Sequence, residues 1–198
     1  MRWLSFSLVL AAVACGRPAA APPPPGMLRT VAVLPANNRT GDPLLVSGTS
    51  FLEKYATRSA RITVPDVLTA EARLQLERRG FTVVPPEVVE AATGGRTPGS
   101  AEAAAALTAG AKLEGLALYL DIRRWEADAP THPAFIIAGV AASLVDPATR
   151  RVVWSAERRA SPAATPGEIT LGSAYVTAAR AVVAELLSPL GPEVSPPS

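Results

Sequence analysis

The chain has 198 residues, with 19 Lys and Arg against 17 Asp and Glu, a formal net charge of +2, 48% hydrophobic and only 5% aromatic residues. That suffices for one domain with a core. It excludes a basic, aromatic nucleic-acid face, because the arginines are scattered in pairs such as Arg78-Arg79, Arg123-Arg124, Arg150-Arg151 and Arg158-Arg159. The lone Cys15 excludes an intrachain disulfide, and with His132 as the sole histidine it excludes the common zinc sites.

Residues 1–14 have the form of an export signal. Arg2 supplies the positive start, and Leu4 to Val13 an apolar segment of about ten residues, too short to span a bilayer. It ends in Ala12-Val13-Ala14-Cys15. Small residues before a single cysteine resemble a bacterial lipobox, in which the cysteine becomes the lipidated first residue of the mature protein. The usual leucine three places earlier is Ala12 here. The alternatives are a buried core cysteine or a signal cleaved elsewhere. The lipobox reading predicts membrane attachment through acyl chains, palmitate among them, on Cys15. Residues 15–26 then form a tether, since GRPAAAPPPPG cannot pack and its prolines favour an extended chain. At about 3.1 Å per residue it would hold a domain roughly 30 Å from the membrane.

A single domain is expected over residues 27–190. RTVAVLP (Arg29 to Pro35) reads as a short buried strand, followed by the turn-rich Ala36 to Pro43. The stretch from Leu44 to Ile62 is long for a connection, with a short helix expected near Ser50 to Ala56. Its Leu44, Leu45, Val46, Phe51, Leu52 and Tyr55 either cover the sheet or form a partner surface. Pro65 to Arg79 has helix signals: Thr63 to cap, Pro65 and Asp66 in the first turn, Gly80 to stop. Its expected buried side is Val67, Leu68, Ala70, Leu74 and Leu76. Phe81 to Val84 is a second strand, Glu87 to Ala92 a short helix, and Ala101 to Thr108 an alanine-rich helix capped by Ser100 and thin enough to lie close on a sheet.

Three apolar runs follow: Leu116 to Ile122 with period two, Phe135 to Val145, and Arg151 to Glu157 after an Asp146-Pro147 turn. They read as an antiparallel meander. Thr165-Pro166-Gly167-Glu168 has the form of a capping box for a last helix running to about Leu187, with Ile169, Val176, Ala179, Val182, Val183 and Leu186 on its buried side. Residues 191–198 are expected to be a disordered tail. The predicted fold class is α+β: a mixed sheet of about five strands with a C-terminal antiparallel meander and helices mainly on one face.

VAVLPANNRTGDP resembles the start of the TolB amino-terminal domain and of CsgG-like lipoproteins, where an apolar strand ends in proline and a Ser/Thr-Gly-Asp-Pro turn follows. LERRGFTVVPP is similar to the next element of that fold, and LVDPATRRVVWSAERR to its later hairpin, although glycine would be expected near Arg150. The chain is also similar to putative surface-antigen lipoproteins of unknown activity. The resemblance spans about Arg29 to Leu187. It implies an outer-membrane, periplasm-facing lipoprotein accessory to an envelope secretion, polysaccharide or transport assembly, and it brings no catalytic residues.

Read from the residues, the best enzyme case is Asp121, Glu126, Asp128 and His132, a set equally expected at a solvated strand end. No Gly-x-Ser-x-Gly elbow or phosphate loop is present. The expectation is therefore a non-enzymatic adaptor or oligomeric component, without cofactor or metal, acting on other envelope proteins or by self-association. The alternative is a lipoprotein that binds a small ligand or glycan in a cleft of the domain.

Overall fold

The computed structural model describes residues 22–46 and 62–191. Cys15, the tether up to residue 21 and the tail from residue 192 lie outside these, as does the helix expected near Ser50 to Ala56. Six strands form one mixed sheet that does not close into a barrel: β1 (Thr30–Val33), β2 (Asn37–Asn38), β3 (Thr82–Val83), β4 (Leu116–Ala127), β5 (Phe135–Asp146) and β6 (Arg151–Ala164). The helices are α1 (Val64–Arg78), α2 (Pro86–Thr93), α3 (Ala101–Gly110) and α4 (Leu171–Leu187). The fold is α+β, as the order of patterned segments predicts.

The spatial order is β3-β1-β4-β5-β6. β1 runs parallel to both β3 and β4, while β4, β5 and β6 form the antiparallel meander. Leu118, Leu144 and Trp154 stand in register across the meander, as do Tyr119, Ser143 and Ser155. β2 also pairs with β4, Asn37 opposite Asp121. β1 and β2 are thus two ends of one rail along β4, broken at Pro35, which has no N–H to give. Leu34 N still donates to Leu118 O (3.1 Å), and Arg39 N to Ile122 O (2.9 Å). Inside the break Ala36 N donates to Thr69 Oγ1 of α1 (3.0 Å), so the interrupted ladder leaves no buried donor there unpaired.

One face of the sheet carries the main core. Val31, Val33, Leu118, Leu120, Ile122, Leu144 and Trp154 meet α1 and α4, and Trp125 meets Tyr175 edge-on at 6.2 Å. The other face carries a smaller core in which Ala32, Leu34, Ala117, Tyr119 and Val145 meet Val89 of α2 and Ala104 and Ala105 of α3. The two long helices therefore share one face, and the two short ones cover one end of the other.

Four local expectations need correction. The buried stripe of α1 is Val64, Leu68, Ala72 and Leu76, while Ala70 is exposed and Leu74 is 40% exposed. The helix has two overlapping apolar stripes, and the one spaced by four lies along the groove against α4. The cap of α4 is Thr170, whose hydroxyl accepts from Ser173 N at 3.2 Å, not Thr165. Gly167 has φ +77, outside helical geometry, and Thr165 is buried with its hydroxyl donating to Pro133 O (2.7 Å). Ile169, consequently outside the helix, is 66% exposed. Finally β4 and β6 run past Ile122 and Glu157, to Ala127 and Ala164.

Arg158 accounts for the longer β6. It is 6% exposed; its Nε donates to Glu185 Oε2 (3.0 Å), its Nη1 to the carbonyls of Ala138 and Ser161, and its Nη2 to Pro162 O (2.9 Å). The guanidinium thereby fills the irregularity between Ala138 and Val140 that would otherwise end the pairing.

Gly115 (φ +78) lets the start of β4 pass β1 closely: a Cβ there would lie 2.3 Å from Thr30 O. Gly115→Ala is expected to cost about 3 kcal/mol through backbone strain plus this clash. Gly94→Ala has the same sign of φ but open space around it, and should cost about 1 kcal/mol. Urea unfolding of the two variants measures the difference.

Candidate interaction surface

The polar residues singled out along the chain do not converge. Asp121 is 2% exposed, and both its oxygens are occupied. Oδ1 accepts from Asn37 Nδ2 (2.9 Å), the Tyr119 hydroxyl (3.1 Å) and Arg39 Nε (2.8 Å); Oδ2 accepts from Arg123 Nε (3.3 Å). Arg123 continues to Glu157 (2.8 Å), and Arg39 Nη2 donates to Gly99 O (2.8 Å). Burial foremost pushes the Tyr119 phenol above its ordinary pKa, against the pull of its hydrogen bond from Arg39. The cluster ties β2 and the loop before α3 to the meander.

Glu126 lies five residues further along β4, on the order of 16 Å by strand rise. It pairs with Arg124 at 2.8 Å. Asp128 accepts from the N–H groups of Ala134 and Phe135, each at 3.4 Å, and so shapes the β4–β5 loop. His132 sits at φ +50 with its backbone N–H directed at Ile169 O. Among the described residues no group of three potential metal ligands occurs. Sequence reading missed Asn37, Arg39 and Tyr119 as partners of Asp121. The available signal was the alternation Tyr119-x-Asp121-x-Arg123 on one strand face, combined with a polar run directly after the proline of the first strand.

The proposed partner segment divides. Leu44 is 4% exposed and packs in the main core, with its carbonyl accepting from Val64 N (2.9 Å). It belongs to the interior, where its left-handed conformation (φ +47) turns the chain. Leu45 is 40% exposed and pairs with Thr63; Val46 N donates to Ile62 O (2.9 Å), and Ile62 is 48% exposed. Val46 is partly buried against the core and passes directly over α4: a Cβ on Gly172 would lie 2.3 Å from its carbonyl oxygen. Phe51, Leu52 and Tyr55 lie outside the described residues. Leu45 and Ile62 thus present apolar surface side by side, Leu45 paired with Thr63. No helix among the described residues is long and apolar enough to cross a membrane.

No family model matches the chain, and no curated protein matches its sequence. Solved structures do. The PelC dodecamer from Paraburkholderia phytofirmans aligns with a TM-score of 0.51 at 17% identity, over 86% of this chain and 93% of that one. A second structure of the PelC dodecamer aligns at 0.49, also with 17% identity, over 85% and 92%. Lipoprotein GNA1162 from Neisseria meningitidis aligns at 0.44 with 18% identity, over 70% and 86%. The first of these three shows a shared fold; at that identity it shows the fold alone.

Asp121→Ala should lower stability by about 2–3 kcal/mol, because Asn37, Tyr119 and two arginines lose their common acceptor. Glu126→Ala, with both partners exposed, should leave the unfolding midpoint in place. The raised Tyr119 pKa means the native state holds this proton more tightly than the unfolded chain. Its contribution is full below about pH 10 and fades as pH rises beyond. Tyr119→Phe should flatten that alkaline decline in a series of melts against pH.

Proposed function

We propose that this chain is a membrane-anchored, periplasm-facing lipoprotein of the outer membrane, acting as a non-enzymatic adaptor or oligomeric component of an envelope secretion or transport assembly. The observation that carries the reading is the likeness in fold to a protein solved as a dodecamer. The position of Cys15, after a short apolar segment and before a proline tether, supports the anchor. The resemblance of VAVLPANNRTGDP and LVDPATRRVVWSAERR to TolB amino-terminal and CsgG-like lipoproteins points the same way.

Two surfaces suit contact between copies. Among the described residues β6 is hydrogen-bonded to a strand on one side only, which makes it an edge strand of the kind to which another chain adds. Arg151, Arg159 and Pro162 limit which chains can pair there. Leu45 and Ile62 offer apolar area side by side. An anchor with a spacer raises the local concentration of such surfaces, so weak contacts between copies become sufficient for assembly.

Cys15→Ala should abolish labelled fatty-acid uptake and release the protein from the membrane fraction. Uptake that persists refutes the anchor. Light scattering should give a mass several times that of one chain. Polar substitution of Leu45 and Ile62, or of Phe51 and Leu52, should lower that mass with the melting transition preserved. A strict monomer, free of crosslinks in the envelope, overturns the oligomeric reading.

A further inference from the structure

The parallel half of the sheet has the connectivity of a switch point. β1 lies between β3 and β4, all three parallel. The chain leaves its carboxyl end through α1 to β3 on one side, then returns through α2 and α3 to β4 on the other. Connections that depart in opposite directions open a crevice at the carboxyl end of the central strand, where open α/β sheets hold their ligands. A cavity of about 440 Å³ lies here. Its lining includes Pro35 just past β1, Asp66, Thr69 and Arg73 of α1, and Glu90 and Thr93 of α2. That volume suits a small molecule.

Arg73 is the cation of this lining. Its Nη2 makes one long hydrogen bond to Val33 O (3.4 Å), and its buried Nε has no acceptor. Burial pushes its pKa down, opposed by the field of Glu87. Asp66, which shares the cavity, forms no ion pair with Arg73; its Oδ2 accepts from Thr63 N (2.9 Å) and the Thr63 hydroxyl (2.6 Å). A partly buried guanidinium that feels Glu87 only through its field and forms no ion pair is costly, and a planar carboxylate is the group that matches its fork.

The rest of the lining selects for more than a bare anion. Thr93 is buried, its hydroxyl donating to Val89 O (2.7 Å), and serves as wall. Glu90 is exposed at the cavity and is an acceptor there. That acceptor favours a ligand with donors of its own, and the two carboxylates of the lining, Asp66 and Glu90, disfavour a dianion such as phosphate.

We infer that this crevice binds a small monocarboxylate that also carries hydrogen-bond donors, its carboxylate on Arg73 and its hydroxyl or ammonium groups toward Glu90. The inference is independent of the anchor and of self-association.

Calorimetric titration of the full chain tests it with sodium glucuronate, L-alanine, glucose and inorganic phosphate. Saturable binding of glucuronate or of L-alanine is expected, and which of the two binds tells a hydroxyl-bearing from an ammonium-bearing ligand. Glucose should not bind, and phosphate should bind more weakly. Arg73→Gln should abolish binding, and Arg73→Lys, which keeps the charge without the fork, should weaken it about tenfold. The ligand-free melting midpoint of Arg73→Gln should stay or rise, since an unpaired charge is removed. Failure of both carboxylates to saturate overturns the inference, as does phosphate binding as tightly as they do, or wild-type binding by Arg73→Gln. Should Arg73→Gln fold poorly, Glu90→Gln decides. Its affinity for the donor-bearing carboxylate should fall while its midpoint holds, and an unchanged affinity overturns the assignment.

Discussion

Everything in this fold is arranged around the last three residues of β1 and the leucine after them, which no solvent reaches. Val31, Ala32, Val33 and Leu34 are all 0% exposed. A strand buried on both faces needs hydrogen-bonding neighbours on both edges and apolar cover above and below. β3 and β4 supply the edges, α1 with α4 one cover, and α2 with α3 the other. The split connectivity is a consequence: two parallel neighbours, one on each side, require two crossovers, and one of them must cover each face. The same constraint opens the crevice at Pro35.

The antiparallel half obeys a different rule. β4, β5 and β6 are 12, 12 and 14 residues long, and α4 packs against their inner face. Beyond the reach of α3, the outer face carries Arg123, Ser155, Glu157 and Arg159, all exposed or half-exposed. That polarity keeps a largely uncovered sheet soluble and fixes its register, since a slip by one residue would put Trp154 outside and Glu157 inside. Asp121 marks the border between the two regimes. It lies on the outer face yet is buried, because Asn37, Arg39 and Arg123 converge on it from both sides.

The periodic parts of the sequence were legible. Period two over Leu116 to Ile122 identified the first strand of the meander, and Thr63 with Pro65 and Asp66 located the start of α1 to within a residue. What failed were positions where two local signals compete. Thr165-Pro166-Gly167-Glu168 is a good box by composition, but Thr165 is held by Pro133, 32 residues away, and that contact is invisible locally. Leu74 and Leu76 are equally apolar, and only the position of α4 decides which is buried. Arg158 reads as a strand-end charge, whereas its four acceptors come from β5, β6 and α4 and exist only once the sheet has formed. The candidate site divides the same way. Asp121 was noticeable as a carboxylate in an apolar run, but two of its partners, Asn37 and Arg39, lie about 80 residues earlier in the chain.

The distinction between Arg73 and Arg158 shows why charge inside this domain carries different meanings. Both are arginines on regular elements, Arg158 buried and Arg73 partly buried. Arg158 finds a carboxylate and three carbonyls, so its burial is compensated within the fold and its role is complete there. Arg73 finds one distant carbonyl. Nothing in the packing of α1 demands a guanidinium at that position, because the helix is already seated by Val64, Leu68, Ala72 and Leu76. A methionine or glutamine of similar length would line the same cavity without the cost of desolvating a charge. A residue that costs stability and seats no element is explained by what it meets from outside. Its place at the carboxyl end of β1, on a helix seated by four buried apolar side chains, is where a ligand contact would be held rigidly.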